Sequence, residues 1–361
     1  MSLSVPLPLW AQAHVPASGP DGRGTVIRHD AAAMAAPVPR VAGRLRAADI
    51  GLVINTRDAY SVAIGAYYWA QRGLRPEQVL QVDLPLRPAL TPEEFEGLKE
   101  AIARRFGPRI QALALAWSLP YAVNCNSITG ALALGYDGEL CRASCATSRV
   151  SPYANSRSTR PFTDLGLRPS MLLAAPNVAE GRALIDRGVR SDRSLGLAGG
   201  PPVMAAFVSS KDPARNVRER LYPPPGDVRR PGVQIRRLAD LADAAGERLV
   251  LVQAGVATVV LSKEARWAPG ALADHLTSFG GQLDGAAGQS TVLDWIGAGA
   301  TASHGTVSEP CNHLQKFPHP QWLLWHYLQG STAIEAYWKS VLWPQQSLFV
   351  GEPLAAPFAR R

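Results

Sequence analysis

The sequence predicts an α/β protein of three layers, a mostly parallel sheet held between two layers of helices. Three observations lead there. Continuous apolar runs, such as Ile50-Gly51-Leu52-Val53-Ile54 and Leu249 to Ala254, suit strands buried on both faces. Segments of helical period lie between such runs, several opened by a capping residue. The two kinds alternate along the chain, which is the pattern of right-handed strand–helix–strand crossovers.

In order, Ile50 to Ile54 is the first strand, and Ser61 to Arg72 follows as a helix with Val62, Ala66, Tyr67 and Ala70 at helical spacing and Gly73 as its stop. Val79 to Leu84 is the second strand. Thr91-Pro92-Glu93-Glu94 opens a helix, with Thr91 as N-cap, Pro92 in the first turn and Glu94 closing a capping box. Gln111 to Trp117 is a third strand. A long insertion, residues 122 to 169, then carries three of the four cysteines and many Ser, Asn and Arg. Met171 to Ala175 and Val203 to Ser209 read as strands, Val178 to Arg187 as a helix, and Asp212 as the cap of a helix to Leu221. Leu249 to Ala254 is a strong core strand, Ser290 to Ala298 a helix, Ala300 to His304 a strand, and Trp322 to Leu328 and Thr332 to Val341 are helices. This gives a single α/β domain over residues 46 to 361, preceded by an arm over residues 1 to 45.

Composition bounds the function. Of 361 residues 47% are hydrophobic and 18% charged, below the usual charged share of ~25%, so a full core is available and a mainly disordered chain is excluded. The run from Leu249 to Ser262 holds Gln253 and falls short of the ~18–20 apolar residues that span a bilayer, so no membrane span is expected. The 32 Gly and 30 Pro signal many ordered turns. Net charge is +8, almost all of it from Arg, because Lys stands only at 99, 211, 263, 316 and 339. The densest basic stretch, Arg215 to Arg237, is broken by Pro223, Pro224, Pro225 and Pro231 and has only Tyr222 as an aromatic. It reads as a solvated loop, and no nucleic-acid partner is expected.

Leu3 to Trp10 has the look of a short signal-peptide core and Ala11-Gln12-Ala13 of a cleavage site, although the basic flank is missing and Pro6 and Pro8 break the run. Export to the periplasm or beyond is the expectation, and a cytoplasmic protein follows if that arm is not a signal. Residues 14 to 45 read as a linker. Cys125, Cys141, Cys145 and Cys311 are compatible with two disulfides in any of three pairings. A zinc site of three cysteines and a histidine is the weaker alternative, since Cys141-x3-Cys145 is not a usual zinc spacing.

Residues 54 to 85, INTRDAYSVAIGAYYWAQRGLRPEQVLQVDLP, resemble the opening of a family of uncharacterised bacterial proteins, and LAWSLPYAV, NSITGALAL, YLQGSTAIEAYW and LFVGEPLAAPF extend the match over residues 45 to 358. That family implies no activity. The last third more distantly resembles gingipain-type, caspase-like cysteine peptidases, in which one strand ends at a catalytic His-Gly, the next at a catalytic Cys, and a Gly-Asp-Pro segment closes the domain. Here the first such strand ends in Gln253-Ala254-Gly255 and the second in His275-Leu276-Thr277-Ser278, so neither catalytic position is filled. Gly351-Glu352-Pro353 keeps the closing segment with Glu for Asp. The resemblance implies a caspase-like fold without its usual dyad.

In open parallel sheets, ligands bind beyond the carboxyl ends of the strands. The candidate binding residues placed there are Asn55, Arg57, Asn124, Ser278 and Glu309, expected around one cleft, with Glu309 biased to an extended backbone by Pro310. The richest run is residues 303 to 320, where Cys311 as nucleophile with His304 or His313 as base is the catalytic possibility. The same groups suit a transition metal, or fix a Pro-rich loop with Cys311 in a disulfide. No GxSxG, GxxxxGK[ST], GxGxxG or HExxH motif occurs, and no cofactor is expected. The two functional expectations are an exported protein of degenerate peptidase-like fold that binds a peptide or protein partner without cleaving it, and a cysteine hydrolase with a rearranged site.

Overall fold

The apolar runs become strands because alternate side chains can be buried on opposite faces. The computed structural model describes residues 34–197, 199–229, 231–285 and 288–360. Its main strands, in chain order, begin with β1 (Ile50–Asn55), β2 (Val79–Val82), β3 (Ala89–Leu90), β4 (Ala112–Leu115), β5 (Ala122–Val123), β6 (Asn126–Ser127) and β7 (Ser170–Leu172). They continue with β8 (Val203–Val208), β9 (Gly226–Val228), β10 (Val233–Leu238), β11 (Arg248–Ala254), β12 (Arg266–His275), β13 (Ala302–Thr306) and β14 (Ser347–Gly351). Among the described residues eleven of these form one sheet in the order β2-β1-β4-β7-β14-β13-β12-β11-β8-β10-β9. Every neighbouring pair is parallel except β13–β14 and β9–β10. The mixed α/β, mostly parallel architecture expected from the sequence is the one observed.

The helices cover both faces. Helix α1 (Ala59–Arg72) starts where Asp58 accepts the Tyr60 N–H, and ends at Gly73 in the left-handed region. Helix α2 (Pro92–Arg105) has the expected capping box between Thr91 and Glu94. The inserted stretch holds α3 (Ile128–Leu134), α4 (Glu139–Arg142) and α5 (Pro161–Leu165); α6 (Val178–Ser191), α7 (Val292–Ala298), α8 (Pro320–Leu328) and α9 (Ala333–Ser340) complete the set. Leu52, Ile54, Ala114 and Phe349 meet Ile64, Tyr68, Leu323 and Trp338 on one face. Val53, Leu115, Leu348 and Val350 meet Phe95, Ile102, Ile128 and Ile296 on the other. Gly351 closes β14 with φ 144°, where a Cβ would lie 2.5 Å from the Ala302 Cα, so only glycine fits.

Three expectations are corrected. Residues 34 to 45 are not a free linker: Met34 and Leu45 are buried, and side chains pin the stretch down. Gln329 accepts from Val41 N (3.0 Å) and donates to the Pro39 carbonyl (3.0 Å), Trp322 Nε1 donates to the Ala36 carbonyl (3.1 Å), and Glu335 accepts from Leu45 N (3.1 Å). The signal-like residues 3 to 13 lie outside the described residues. The basic stretch 215–237 is not a solvated loop, because Val233 and Ile235 place β10 in the sheet and Arg218 is buried. The segment after Asp212 is a 3-10 helix over Asn216–Leu221 and not an α-helix. The 122–169 insertion carries β5 and β6, which pair with β3 in a small second sheet.

Candidate functional site

Strands β11 and β12 run side by side, with Ala254 level with His275 at their carboxyl ends. A cavity of about 280 Å3 lies beyond those ends, bounded by Arg215, Thr277, Ser278, Glu309, Cys311 and Phe317. Asp212 sets one wall. Its Oδ1 accepts from Ala214 N (3.0 Å) and Arg215 N (3.2 Å), which turns the Arg215 side chain back onto Asp212 Oδ2 at 2.6 Å. The guanidinium holds the Asp212 carboxyl below the usual carboxylate range. Arg215 Nε also reaches Thr277 Oγ1 (3.4 Å), and that hydroxyl donates to Gln289 Oε1 (2.7 Å).

The opposite wall is the loop after β13. Glu309 Oε1 accepts the Cys311 N–H at 2.7 Å, and Cys311 takes a left-handed backbone with φ 57°. Cys311 is bonded to Cys145, with Cα atoms 5.2 Å apart, and Cys125 to Cys141. His313 Nε2 meets the Cys145 carbonyl (3.1 Å), and the buried Lys316 donates to the Ser144 carbonyl (2.7 Å). Burial pushes the Lys316 ammonium down to about 8, against the pull of Glu309.

Beneath the cavity lies a buried ionic group. Arg218 donates to Asp274 Oδ1 (2.5 Å) and to the Ala254 carbonyl (3.1 Å), while Gln253 Nε2 donates to Asp274 Oδ2 (2.9 Å). Burial raises the Asp274 pKa, with Arg218 opposing. The Phe317 ring, which lines the cavity, lies with its centre 6.0 Å from the Arg218 guanidinium carbon. His275 is engaged at both nitrogens, Nδ1 accepting from Trp295 Nε1 (2.9 Å) and Nε2 facing the Ser290 carbonyl (3.1 Å). Burial lowers its pKa to about 4, so it is neutral, and neither of its nitrogens reaches the Ser278 hydroxyl. The cavity therefore offers donors from Arg215 and Ser278 and an acceptor from Glu309.

Of the residues expected at one cleft, Ser278 and Glu309 do meet, and the catalytic candidate Cys311 lines the same cavity. Asn55, Arg57 and Asn124 do not, which corrects that expectation. For Asn55 and Arg57 the reason is the strand order: β4, β7, β14 and β13 stand between β1 and β12, about 24 Å at the usual strand spacing. Asn55 is fully buried and binds Leu84 through both ends of its amide, accepting from its N–H (3.0 Å) and donating to its carbonyl (3.1 Å). Arg57 is exposed and faces Asp83 at 3.4 Å, so it is not beside Glu309. Asn124, in the turn between β5 and β6, stands close to the loop after β13, where Ser308 Oγ donates to the neighbouring Cys125 carbonyl (2.7 Å). Its side chain, however, donates to the Tyr136 hydroxyl (3.2 Å) and does not line the cavity.

The catalytic possibility is corrected too. The Cys311 sulfur is in a disulfide and supplies no thiolate. His304 is fully buried, 5.4 Å from the Phe349 ring and 6.1 Å from the Phe317 ring, and burial keeps it neutral. His313 braces the Cys145 loop. Among the described residues no three His, Cys, Asp or Glu side chains gather in a metal-binding group. Arg215 and the buried Arg218–Asp274 pair escaped the sequence reading. Arg215 three residues after a capping Asp was the available signal, whereas nothing in the sequence pairs residue 218 with 274.

No family model matches the chain, and no curated protein does. Among solved structures the chain is similar to the Arg-specific cysteine proteinase gingipain R, at 12% identity over 89% of this chain and 80% of that one, with a TM-score of 0.42. It is similar to a structure described as a protease, at 9% identity over 85% and 78%, TM-score 0.43. It is also similar to the complex of Porphyromonas gingivalis RgpB pro- and mature domains, at 11% identity over 87% and 80%, TM-score 0.39. The likeness to gingipain-type structures expected from the last third is thus found, as a distant one.

Proposed function

We propose that the chain is an exported binding protein that holds a peptide or a protein partner at the cavity beyond β11 and β12 without cleaving it. The observation that carries this reading is the Cys145–Cys311 disulfide in the cavity wall. It removes the nucleophile while leaving polar groups around an open space. Arg215 can donate to a carbonyl or carboxylate, Ser278 can donate or accept, and the Glu309 oxygen not taken by Cys311 N can accept from a peptide N–H. A peptide presents both kinds of group. A volume of about 280 Å3 admits a side chain or a short segment. Two disulfides also support an oxidising compartment, hence export.

The test is affinity selection of a peptide library on the oxidised protein, with mass spectrometry of the recovered peptides. Intact peptides are expected, with affinity falling at least tenfold in Arg215→Ala and Glu309→Gln. Cleaved peptides, or binding indifferent to both substitutions, would overturn the proposal.

A further inference from the structure

A second cavity, of about 1320 Å3, lies between the pinned segment 34–46 and helix α8, away from the residues that bound the first. That exceeds the ~300–1,000 Å3 of common small-molecule sites. Arg40, Arg44, Arg46 and Arg360 all line it. None of the four forms an ion pair among the described residues. Arg44 is partly buried, and its charge is disfavoured first by burial and then by Arg193, with Arg46 adding to this and Asp192 and Glu335 opposing. Several arginines lining one cavity, none of them ion-paired among the described residues, raise the free energy of the empty site, which an anion lowers.

A second observation points the same way. His319, 4% exposed, lines this cavity and stacks on Trp322 at 4.6 Å. Its Nδ1 accepts the Trp322 N–H (3.3 Å), which leaves the proton on Nε2. Among the described residues that Nε2 completes no hydrogen bond, though it lies beside the Met34 backbone. A buried donor without an acceptor is costly unless a ligand supplies one.

We infer that this cavity binds an organic phosphate, its phosphate on the Arg40, Arg44, Arg46 and Arg360 guanidinia and its organic part on Trp325. Guanidinium forks pair bidentately with phosphate oxygens. A phosphate monoester carries about −1.5 to −2 charge and three acceptor oxygens, which matches several arginines better than a single carboxylate does. The indole of Trp325 is partly exposed on the cavity wall and gives the organic part an apolar surface. The walls are held in place by the hydrogen bonds from Gln329 and Trp322 to segment 34–46, so little ordering is needed on binding.

The experiment is calorimetric titration of the full chain with phenyl phosphate and with inorganic phosphate, beside co-sedimentation with phosphatidylcholine vesicles with and without phosphatidic acid. Phenyl phosphate is expected to bind more tightly than inorganic phosphate. Its affinity should fall at least tenfold in Arg40→Ala/Arg360→Ala, both exposed positions, and in Arg44→Lys/Arg46→Lys, which keeps the charge but loses the forks. Trp325→Ala should remove the advantage of phenyl phosphate and leave inorganic phosphate binding unchanged. Binding only to phosphatidic-acid vesicles, lost in the same arginine variants, supports the same chemistry with a lipid headgroup as its source. Failure of phenyl phosphate and phosphatidic-acid vesicles alike, or binding that survives both arginine pairs, overturns the inference. The peptide reading of the first cavity is untouched by either result.

Discussion

The two blocks of the sheet use the polar residues at their strand ends differently. In the first, β1, β2, β4 and β7, a cavity of about 320 Å3 bounded by Asp58, Tyr60 and Ser118 also lies beyond the strand ends. The polar residues beside it nevertheless brace backbone: Asn55 ties down Leu84, and Tyr60 donates to the Leu173 carbonyl at 2.8 Å. In the second, β8 and β10 to β13, a buried ion pair lies below and an open cavity above. A polar side chain past a parallel strand is thus as often a brace as a ligand group. What separates the two is whether local backbone groups already use its hydrogen-bonding capacity.

The difference can be probed first through the disulfides. Cys125–Cys141 spans 16 residues within the insertion, while Cys145–Cys311 spans 166 and joins the insertion to the second block. In the chain-entropy description, loops of these lengths contribute about 3 and about 5 kcal/mol respectively. Cys145→Ser/Cys311→Ser should therefore lower stability more than Cys125→Ser/Cys141→Ser, as read by denaturant unfolding. The reverse order would mean that the second block holds its shape without the cross-link.

The next contrast is between Arg218 and Arg57. Removing one partner of a buried pair leaves a stranded charge, and Arg218→Ala should cost about 3–5 kcal/mol. Arg218→Met with Asp274→Leu should recover much of it. Arg57→Ala, whose side chain is 57% exposed beside Asp83, should change stability by at most about 0.5 kcal/mol. Equal effects on melting temperature would erase the distinction between the blocks.

A third contrast is read by pH. Every histidine among the described residues lies between 275 and 326, in or after β12. Burial lowers His275 and His319 to about 4 and His326 to about 3. An unfolded histidine titrates near ~6.5, so the unfolded chain binds these protons first. The associated stability is present above ~6.5 and lost as pH falls toward 4, at about 1.4 kcal/mol per pH unit for each residue. Unfolding free energy should therefore drop between pH 7 and pH 5, and His326→Gln should make the slope shallower by one residue's share. A flat profile would show that these rings are not held neutral.

Much of the scaffold was legible because it rests on local signals. The all-apolar β1 and β11, the Thr91–Glu94 box and the Gly73 stop each declare themselves within a few residues. What escaped depends on distance. Strand β10 hides behind Arg236 and Arg237, whose long stems sit on a strand that only Val233 and Ile235 bury. Ser278 and Glu309 were found because both follow strands that lie near each other. Asn55 was misjudged because being beyond a strand end says nothing of which strands are neighbours. The pairing of Cys145 with Cys311, and of Arg218 with Asp274, is set by the folded topology alone.

Strand β14 has a bearing on biosynthesis. It is the last strand in chain order, yet it lies mid-sheet, parallel to β7 through Val350 and Leu172 and antiparallel to β13 through Ser347 to Gly351. Each block can assemble as it leaves the ribosome, but β7 and β13 keep bare edges until residue 351 has been made. Such edges invite pairing with other chains. The nascent protein thus passes through a stage in which two half-sheets wait for one short strand, and a chaperone that shields β7 and β13 at that stage would raise the yield of folded protein without touching the finished molecule.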